Sequence, residues 1–253
     1  MYNGQQKMDN VQCTMYNDKA FRHKLKISTR LRVIADKVIP GAKVADIGTD
    51  HAYIPIYLVT GDIAKKVIGS DVRKGPVQKA KDNLRKFGLN DKIDIRLGDG
   101  LEKIKVGEVD TIIISGMGGV LICDILSKAS KVLEGITRLI LQPNIAHEEV
   151  RKWLVLNHYH IVDEELVEED DKLYNIIVAE HGREETSDQI DYYIGRKLVE
   201  KKDPLLNKLL KHRIDEMNKI ISQIEGKKTD NVLKRLDECK TRLNDYQELL
   251  KFI

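Results

Sequence analysis

Asp46-Ile47-Gly48-Thr49-Asp50-His51-Ala52 brings two spaced carboxylates, a glycine and an imidazole together directly after an apolar run. A dinucleotide fingerprint would need three glycines at its own spacing, and only Gly48 is present. Asp46 and Asp50 also put negative charge where a pyrophosphate would sit. The segment therefore suits a cationic or amine-bearing ligand. Asp71 follows Gly48 by 23 residues, a position from which a carboxylate accepts hydrogen bonds from both hydroxyls of a ribose. In Gly98-Asp99-Gly100, Asp99 can accept from the exocyclic amine of an adenine, and the glycines leave room for the ring. Ser115-Gly116-Met117-Gly118-Gly119 carries more glycine than a turn needs and is expected to form a pocket wall. Gln142-Pro143-Asn144 offers amides to a base or a carboxylate. Taken singly, each segment is an ordinary turn. All five follow apolar runs, and that common placement points to one ligand site.

The runs themselves read as strands at 43–47, 66–71, 93–97, 111–115 and 138–142, with helices between them at 53–59, 75–87, 118–131 and 147–157. Strands alternating with helices predict a parallel sheet covered on both faces, with ligands outside the carboxyl ends of the strands. Strands at 159–167 and 173–179 are joined by a loop too short for a parallel crossover, so this last pair must be antiparallel. Helical spacing of Leu31, Ile34, Ala35 and Val38 predicts a helix over 18–38, stopped by Pro40-Gly41.

Beyond Asp188 the period changes. Asp203-Pro204 reads as a helix start, with Asp as the cap. Apolar residues then recur by alternate fours and threes at Leu210, Ile214, Met217, Ile221 and Ile224. They resume after a polar turn at Val232, Leu236, Cys239, Leu243, Tyr246, Leu250 and Ile253. This spacing predicts an antiparallel coiled-coil hairpin, either an arm that holds a large substrate or a structural appendage and dimer contact. The expected organisation is a flexible tail over 1–17, an α/β domain over 18–182 and a helical domain over 183–253. A fragment ending at Gly182 is expected to fold, because all seven strands precede that point.

Of the 253 residues 42% are apolar and 33% charged, which excludes a disordered chain. No run of 18 apolar residues occurs, so no membrane span is expected, and the amino terminus has no apolar signal core. Cys13, Cys123 and Cys239 are too far apart to suggest a zinc site or a disulfide framework, which favours a reducing cytoplasm. The formal net charge is +3, unevenly spread. Six basic residues and no acid lie between Lys19 and Arg32, a stripe able to follow a phosphate backbone or simply to face water. Seven acids fill the nine positions from Asp163 to Asp171, expected to be a solvated strand end and loop that nucleic acid avoids.

Asp46-x-Gly48, Asp71, Asp99 and the closing antiparallel pair resemble the class I S-adenosylmethionine-dependent methyltransferases. The finer pattern of Ser28-Thr29-Arg30-Leu31, ADIGTDHAYIP (45–55), SDV (70–72), GDGL (98–101), SGMGG (115–119) and QPN (142–144) resembles the bacterial tRNA (adenine-22 N1)-methyltransferases. The likeness covers residues 20–253. It implies a Rossmann-like seven-stranded methyltransferase sheet with a C-terminal helical coiled-coil domain, S-adenosylmethionine as cofactor, tRNA as partner and no metal. The implied cofactor contacts are Arg30, Asp46, Gly48, Asp50, His51, Asp71, Val72, Asp99, Gly100, Gly116 and Met117. Met117 reads equally as core packing. Asp50, His51 and Asn144 are the residues expected to orient the reacting groups, and Tyr53 is a candidate to stack on the target base. Arg22, Lys24, Lys26, Lys227, Lys228, Lys234 and Arg235 are the expected RNA contacts. A monomer is expected, with dimerisation through the hairpin as the alternative.

Methyl transfer to N1 of adenine needs no general base, because that lone pair is free at neutral pH. This agrees with a sequence that has no evident catalytic dyad. No Pro-Pro-aromatic segment follows the fourth strand, which disfavours methylation of an exocyclic amine. No Pro-Cys occurs, which disfavours a covalent cytosine mechanism. A methyltransferase for a small molecule or a protein leaves the basic stripe and hairpin without a purpose. A non-catalytic RNA-binding module has no use for Asp71 and Asp99. A nicotinamide oxidoreductase lacks its glycines.

Overall fold

The structure, a computed structural model, describes residues 27–183, 188–226 and 229–253. The 1–17 tail, Arg22, Lys24, Lys26, Lys227 and Lys228 lie outside the described residues, as does Cys13.

Seven strands form one sheet: β1 (Ala42–Ile47), β2 (Ala64–Asp71), β3 (Ile93–Leu97), β4 (Thr111–Gly118), β5 (Arg138–Ile145), β6 (Tyr159–Glu169) and β7 (Lys172–His181). Their order is β3-β2-β1-β4-β5-β7-β6. The first five are parallel, and β7 inserts antiparallel between β5 and β6. Consecutive Ile112, Ile113 and Ile114 in β4, and Leu139, Ile140 and Leu141 in β5, are all fully buried. Such unbroken apolar runs are what a strand covered on both faces requires. One face packs on α1 (Thr29–Asp36), α2 (Tyr53–Thr60) and α3 (Lys74–Phe87), through Ile34, Leu58 and Leu84. The other packs on α4 (Gly119–Ser127), α5 (Ser130–Leu133) and α6 (His147–Leu156), through Ile122, Leu126 and Leu154.

Two helix expectations need correction and a third is met in part. Of the helix expected over 18–38, the described residues hold α1 from Thr29 to Asp36, and 18–26 lie outside them. Ser28 is extended at φ −67°, ψ 156°, and its hydroxyl accepts from the Leu31 amide as an N-cap. The helix expected at 118–131 breaks at Ala129, whose backbone (φ −116°, ψ 28°) turns Val132 and Leu133 back onto the core. The helix expected to start at Asp203-Pro204 begins at Leu206, as α9 (Leu206–Ile224). The Asp203 carboxylate, nearly buried, accepts from the Leu205 amide at 2.9 Å and from the Leu166 amide of β6 at 3.2 Å. It therefore ties the helix to the sheet as well as starting it.

Two short helices, α7 (Gln189–Ile194) and α8 (Arg196–Glu200), precede α9, and α10 (Asp230–Phe252) ends the chain. Helices α9 and α10 share a cluster built on Leu206, Leu210, Met217 and Tyr246, with Ile214, Cys239, Leu243 and Leu250 half-buried around it. Leu166 of β6 and Leu198 of α8 belong to the same cluster, so these helices are rooted in the sheet edge.

The acidic run 163–171, expected to be a solvated strand end and loop, divides in two: Asp170 and Asp171 are exposed in the turn, whereas the acids of β6 are paired. Asp163 pairs with Lys37 at 2.7 Å and Lys201 at 3.1 Å, and Glu165 also pairs with Lys37. Glu168 pairs with Lys208 at 2.5 Å, and Glu169 lies 3.8 Å from Arg30. Glu164 is buried against Arg151. The run is the strip on which α1 and the C-terminal helices are fastened.

Candidate active site

The strand register places the five sequence segments at one sheet edge. Ile47 of β1 pairs with Ser70 of β2 and Ile114 of β4, Asp71 pairs with Leu97 of β3, and Ser115 pairs with Gln142 of β5. The loops beyond these pairs are tied together by backbone. The Gly48 and Thr49 amides both donate to the Ser70 carbonyl, at 2.7 and 3.0 Å, and the Gly98 amide donates to the Asp71 carbonyl at 3.1 Å. A cavity of about 360 Å³ opens at this edge, within the size range of small-molecule sites. Its lining includes Asp46, Gly48, Asp50, His51, Asp71, Val72, Asp99, Gly100, Gly116, Met117, Arg30 and Tyr53. Every cofactor contact implied by the sequence lies on this cavity.

The carboxylates sit in contrasting environments. Asp46 is buried, and loss of solvent pushes its carboxyl up to about 7. Nearby Asp71 adds to the rise, while the Thr49 side chain opposes it. Asp71 is also buried. Its Oδ1 accepts from the Arg73 amide at 2.9 Å and lies 3.5 Å from the Arg73 guanidinium. Asp50 and Asp99 are exposed at the rim. Asp50, at φ +46°, holds its carboxylate 3.6 Å from His51 Nε2. The His51 ring stacks on Tyr53, with centroids 5.4 Å apart. Asn83 of α3 donates to the His51 carbonyl at 3.0 Å, which anchors the loop from behind.

Two glycines are required, one by its backbone and one by close approach. Gly48 has φ +76°, which other residues rarely adopt, and Met117 Cε sits 2.4 Å from where its Cβ would be. The tip of Met117 thus crosses the β1 turn and lines the cavity, while the side chain also packs against the core. At Gly119 a Cβ would meet the Ala146 carbonyl oxygen at 2.2 Å. Gly119 therefore lets the β4 and β5 loops touch, whereas Gly116 and Met117 form the expected pocket wall.

Arg30 and Asn144 are joined through Gln142. Arg30 Nη1 donates to Gln142 Oε1 at 2.5 Å, Gln142 Nε2 donates to Asn144 Oδ1 at 3.0 Å, and Asn144 Nδ2 donates to the Gly116 carbonyl at 2.8 Å. Leu121 and Ile125 of α4 complete the cavity wall. Leu121 and Ile125 were missed from sequence, because they fall in an apolar helix with no chemical signal. Gln142 was singled out there as an amide offered to a ligand, whereas the structure buries it and turns its amide to Arg30 and Asn144.

A larger cavity of about 1260 Å³ lies at the opposite end of β2 and β3, lined by Lys65, Lys81 and Arg85 among others. It has none of the strand-end carboxylates, so chemistry rather than size picks out the site. Cys123 is in α4, as expected, and burial pushes its thiol up to about 11, away from a thiolate nucleophile. Among the described residues no group of three or more His, Cys, Asp or Glu could hold a metal, and no helix is long and apolar enough to cross a membrane. Lys234 and Arg235 are exposed on α10, well removed in sequence from the cavity.

A seven-stranded sheet in this order, with its single inserted antiparallel strand and a cavity of acids at the parallel strand ends, defines a class I methyltransferase fold. The family model for tRNA (adenine(22)-N(1))-methyltransferase (TrmK) matches residues 44–248. The chain belongs to that family. The Bacillus subtilis tRNA (adenine(22)-N(1))-methyltransferase is 40% identical over 235 residues, 90% of this chain and 97% of the relative. The crystal structure of the B. subtilis enzyme superposes with a TM-score of 0.84 at 38% identity, covering 89% of this chain and 99% of that one. A putative tRNA (m1A22) methyltransferase from Streptococcus pneumoniae, in complex with S-adenosyl-L-methionine, superposes with a TM-score of 0.81 at 33% identity, covering 88% and 99% of the two chains.

Proposed function

We propose that this chain transfers a methyl group from S-adenosylmethionine to N1 of adenine 22 in the D-arm of tRNA. The observation that carries the reading is the convergence of Asp46, Asp71 and Asp99 on one cavity in a chain of this family. The residues fit the cofactor. Gly48 and Met117 line the cavity wall beside it, and Asp46 and Asp50 offer negative charge to its cationic end. Asp71 would hold the ribose hydroxyls, and Asp99 the adenine amine, with Gly100 beside the ring. Val72, Gly116, Met117, His51 and Arg30 complete the enclosure.

Bound there, the sulfonium supplies a methyl group already activated for displacement. The protein's task is to hold N1 of the base in line with it. Alkylation at N1 leaves the base with a positive charge and removes no proton, so His51 is not required as a base. Asp50 at the rim places a carboxylate where that charge develops. His51 and Tyr53 present a stacked pair beside the same opening, against which the target base can lie. N1 is on the pairing edge, so the nucleotide must leave its partner first, at a cost of a few kcal/mol. The exposed cations Lys234 and Arg235 of α10, with Lys227, Lys228, Arg22, Lys24 and Lys26, would contact phosphates of the folded RNA. The chain acts as a cytoplasmic monomer in this reading, with 18–182 as the catalytic unit and the helices after 183 as its RNA arm.

Incubation with labelled cofactor and unmodified tRNA, followed by nucleoside identification, tests the assignment. The expected product is 1-methyladenosine, absent when adenine 22 is replaced by another base. Methylation that persists in the replaced tRNA would refute the position.

A further inference from the structure

Two groups in the chain from Arg30 to Gly116 cannot change their hydrogen-bonding sense. A guanidinium only donates, and a backbone carbonyl only accepts. Arg30 is held in place by the Tyr174 ring, 4.9 Å from its guanidinium carbon, and by Glu169 at 3.8 Å. The Gln142 atom facing it at 2.5 Å must therefore be Oε1. Its Nε2 then points the other way, and both hydrogens are used, toward the Pro143 carbonyl at 2.9 Å and Asn144 Oδ1 at 3.0 Å. Gln142 is fully buried, so water cannot substitute for either partner. Asn144 is consequently locked with its oxygen inward and its amine outward, and Nδ2 meets the Gly116 carbonyl at 2.8 Å. One Nδ2 hydrogen remains, beside a carbonyl oxygen with a second lone pair. Beside the cavity wall at Gly116 this makes a donor and an acceptor 2.8 Å apart.

We propose that Gln142 is a positioning residue that, through Asn144, sets up this donor–acceptor pair to read the N6/N7 edge of the target adenine. The inference rests on the reading of the substrate given above. Adenine presents an N6 donor beside the N7 acceptor, and this order complements the Gly116 carbonyl and Asn144 Nδ2. Guanine presents acceptors at both O6 and N7, so its O6 would face the Gly116 carbonyl without a hydrogen between them. Engaging the N6/N7 edge also leaves N1 uncovered for attack. A lone asparagine reads adenine with its own oxygen and nitrogen together. Here the lock turns the oxygen away, and the backbone carbonyl takes its place.

The test uses single-turnover methylation of full-length tRNA carrying either adenosine or 7-deazaadenosine at position 22. Carbon in place of N7 leaves N1 at least as basic, so slower transfer reports the missing hydrogen bond. Wild-type protein is expected to prefer adenosine by about tenfold in kcat/KM, the worth of one such bond. In Gln142→Glu the carboxylate still accepts from Arg30, but it can donate neither to Asn144 nor to the Pro143 carbonyl. This variant should lose about tenfold on adenosine and show almost no preference between the two bases, with its KM for the cofactor little changed and its melting temperature lowered by the buried carbonyl left without a donor. Asn144 is exposed, so Asn144→Ala keeps the wild-type melting temperature. Asn144→Ala should likewise show no preference. Equal rates on the two bases with wild-type protein, or an undiminished preference in Gln142→Glu, would overturn the proposal. Absence of any methylation of the adenosine tRNA by wild-type protein would instead strike the assigned reaction itself.

Discussion

Arg151 of α6 and Glu164 of β6 form an ion pair at 2.8 Å with both side chains sealed from water. The remaining guanidinium nitrogens donate to the Tyr192 and Ile194 carbonyls of α7, at 2.8 and 3.0 Å. A helix of the methyltransferase sheet is thereby closed by backbone from the segment beyond residue 182.

Removal of one partner leaves the other buried without its charge complement. Arg151→Leu should therefore cost roughly 3–5 kcal/mol in denaturant unfolding, and a paired Arg151→Met, Glu164→Leu variant should recover much of it. A fragment ending at Gly182 removes both carbonyls and strips the Leu198 and Leu206 cover from Leu166. Its expected behaviour is loss of a cooperative unfolding transition, in place of the free-standing domain that strand counting suggests. A sharp melt in that fragment would show the helices to be a dispensable appendage to the fold.

Burial raises the Asp46 carboxyl to about 7, so the ligand-free native state binds this proton more tightly than the unfolded chain does. The contribution to stability is fully present below about pH 4 and is lost as pH rises through about 7. A cationic ligand favours the ionised form, so affinity for S-adenosylmethionine should increase with pH. The expected gain is up to about tenfold between pH 6 and 7.5, with a plateau above. Calorimetry across this range checks it, and Asp46→Asn should flatten the profile.

In the proposed binding mode Asp71 and Asp99 would accept hydrogen bonds from opposite ends of the adenosine. Asp71→Ala and Asp99→Ala should each weaken cofactor binding by several-fold or more, about 1–3 kcal/mol apiece. Asp99 is exposed, so its variant should melt like wild type, whereas Asp71 also supports the Arg73 turn and should cost stability as well. Tighter binding of NAD than of S-adenosylmethionine by the wild type would contradict the cofactor assignment.

RNA binding through phosphates must show in salt dependence. Replacing Lys234 and Arg235 with Gln, or Arg22, Lys24 and Lys26 with Gln, should flatten log affinity against log salt by about 0.7–0.9 for each phosphate that is no longer neutralised. An unaltered slope would return that group to a solvated surface.

Much of the architecture was legible in the residues. β-branched runs such as Ile112-Ile113-Ile114 can only be strands covered on both faces, and the short connection between Glu169 and Lys172 forces β6 and β7 to be antiparallel. The ligand site was legible for a related reason. In a parallel sheet all strand ends share one edge, so Gly48, Asp71, Asp99 and Gly116 had to meet once their strands were recognised. What pairs across distant elements was not legible, because charge and polarity are visible in a sequence while partners are not. The acids of β6 looked solvated until Lys37, Lys201, Lys208 and Arg151 arrived from other parts of the chain, while Asp170 and Asp171 stay exposed in the turn. Asp203 looked like a helix cap until Leu166 came within its reach. The amide orientation of Asn144 depends on Arg30, 114 residues away, through a glutamine that only tertiary packing buries.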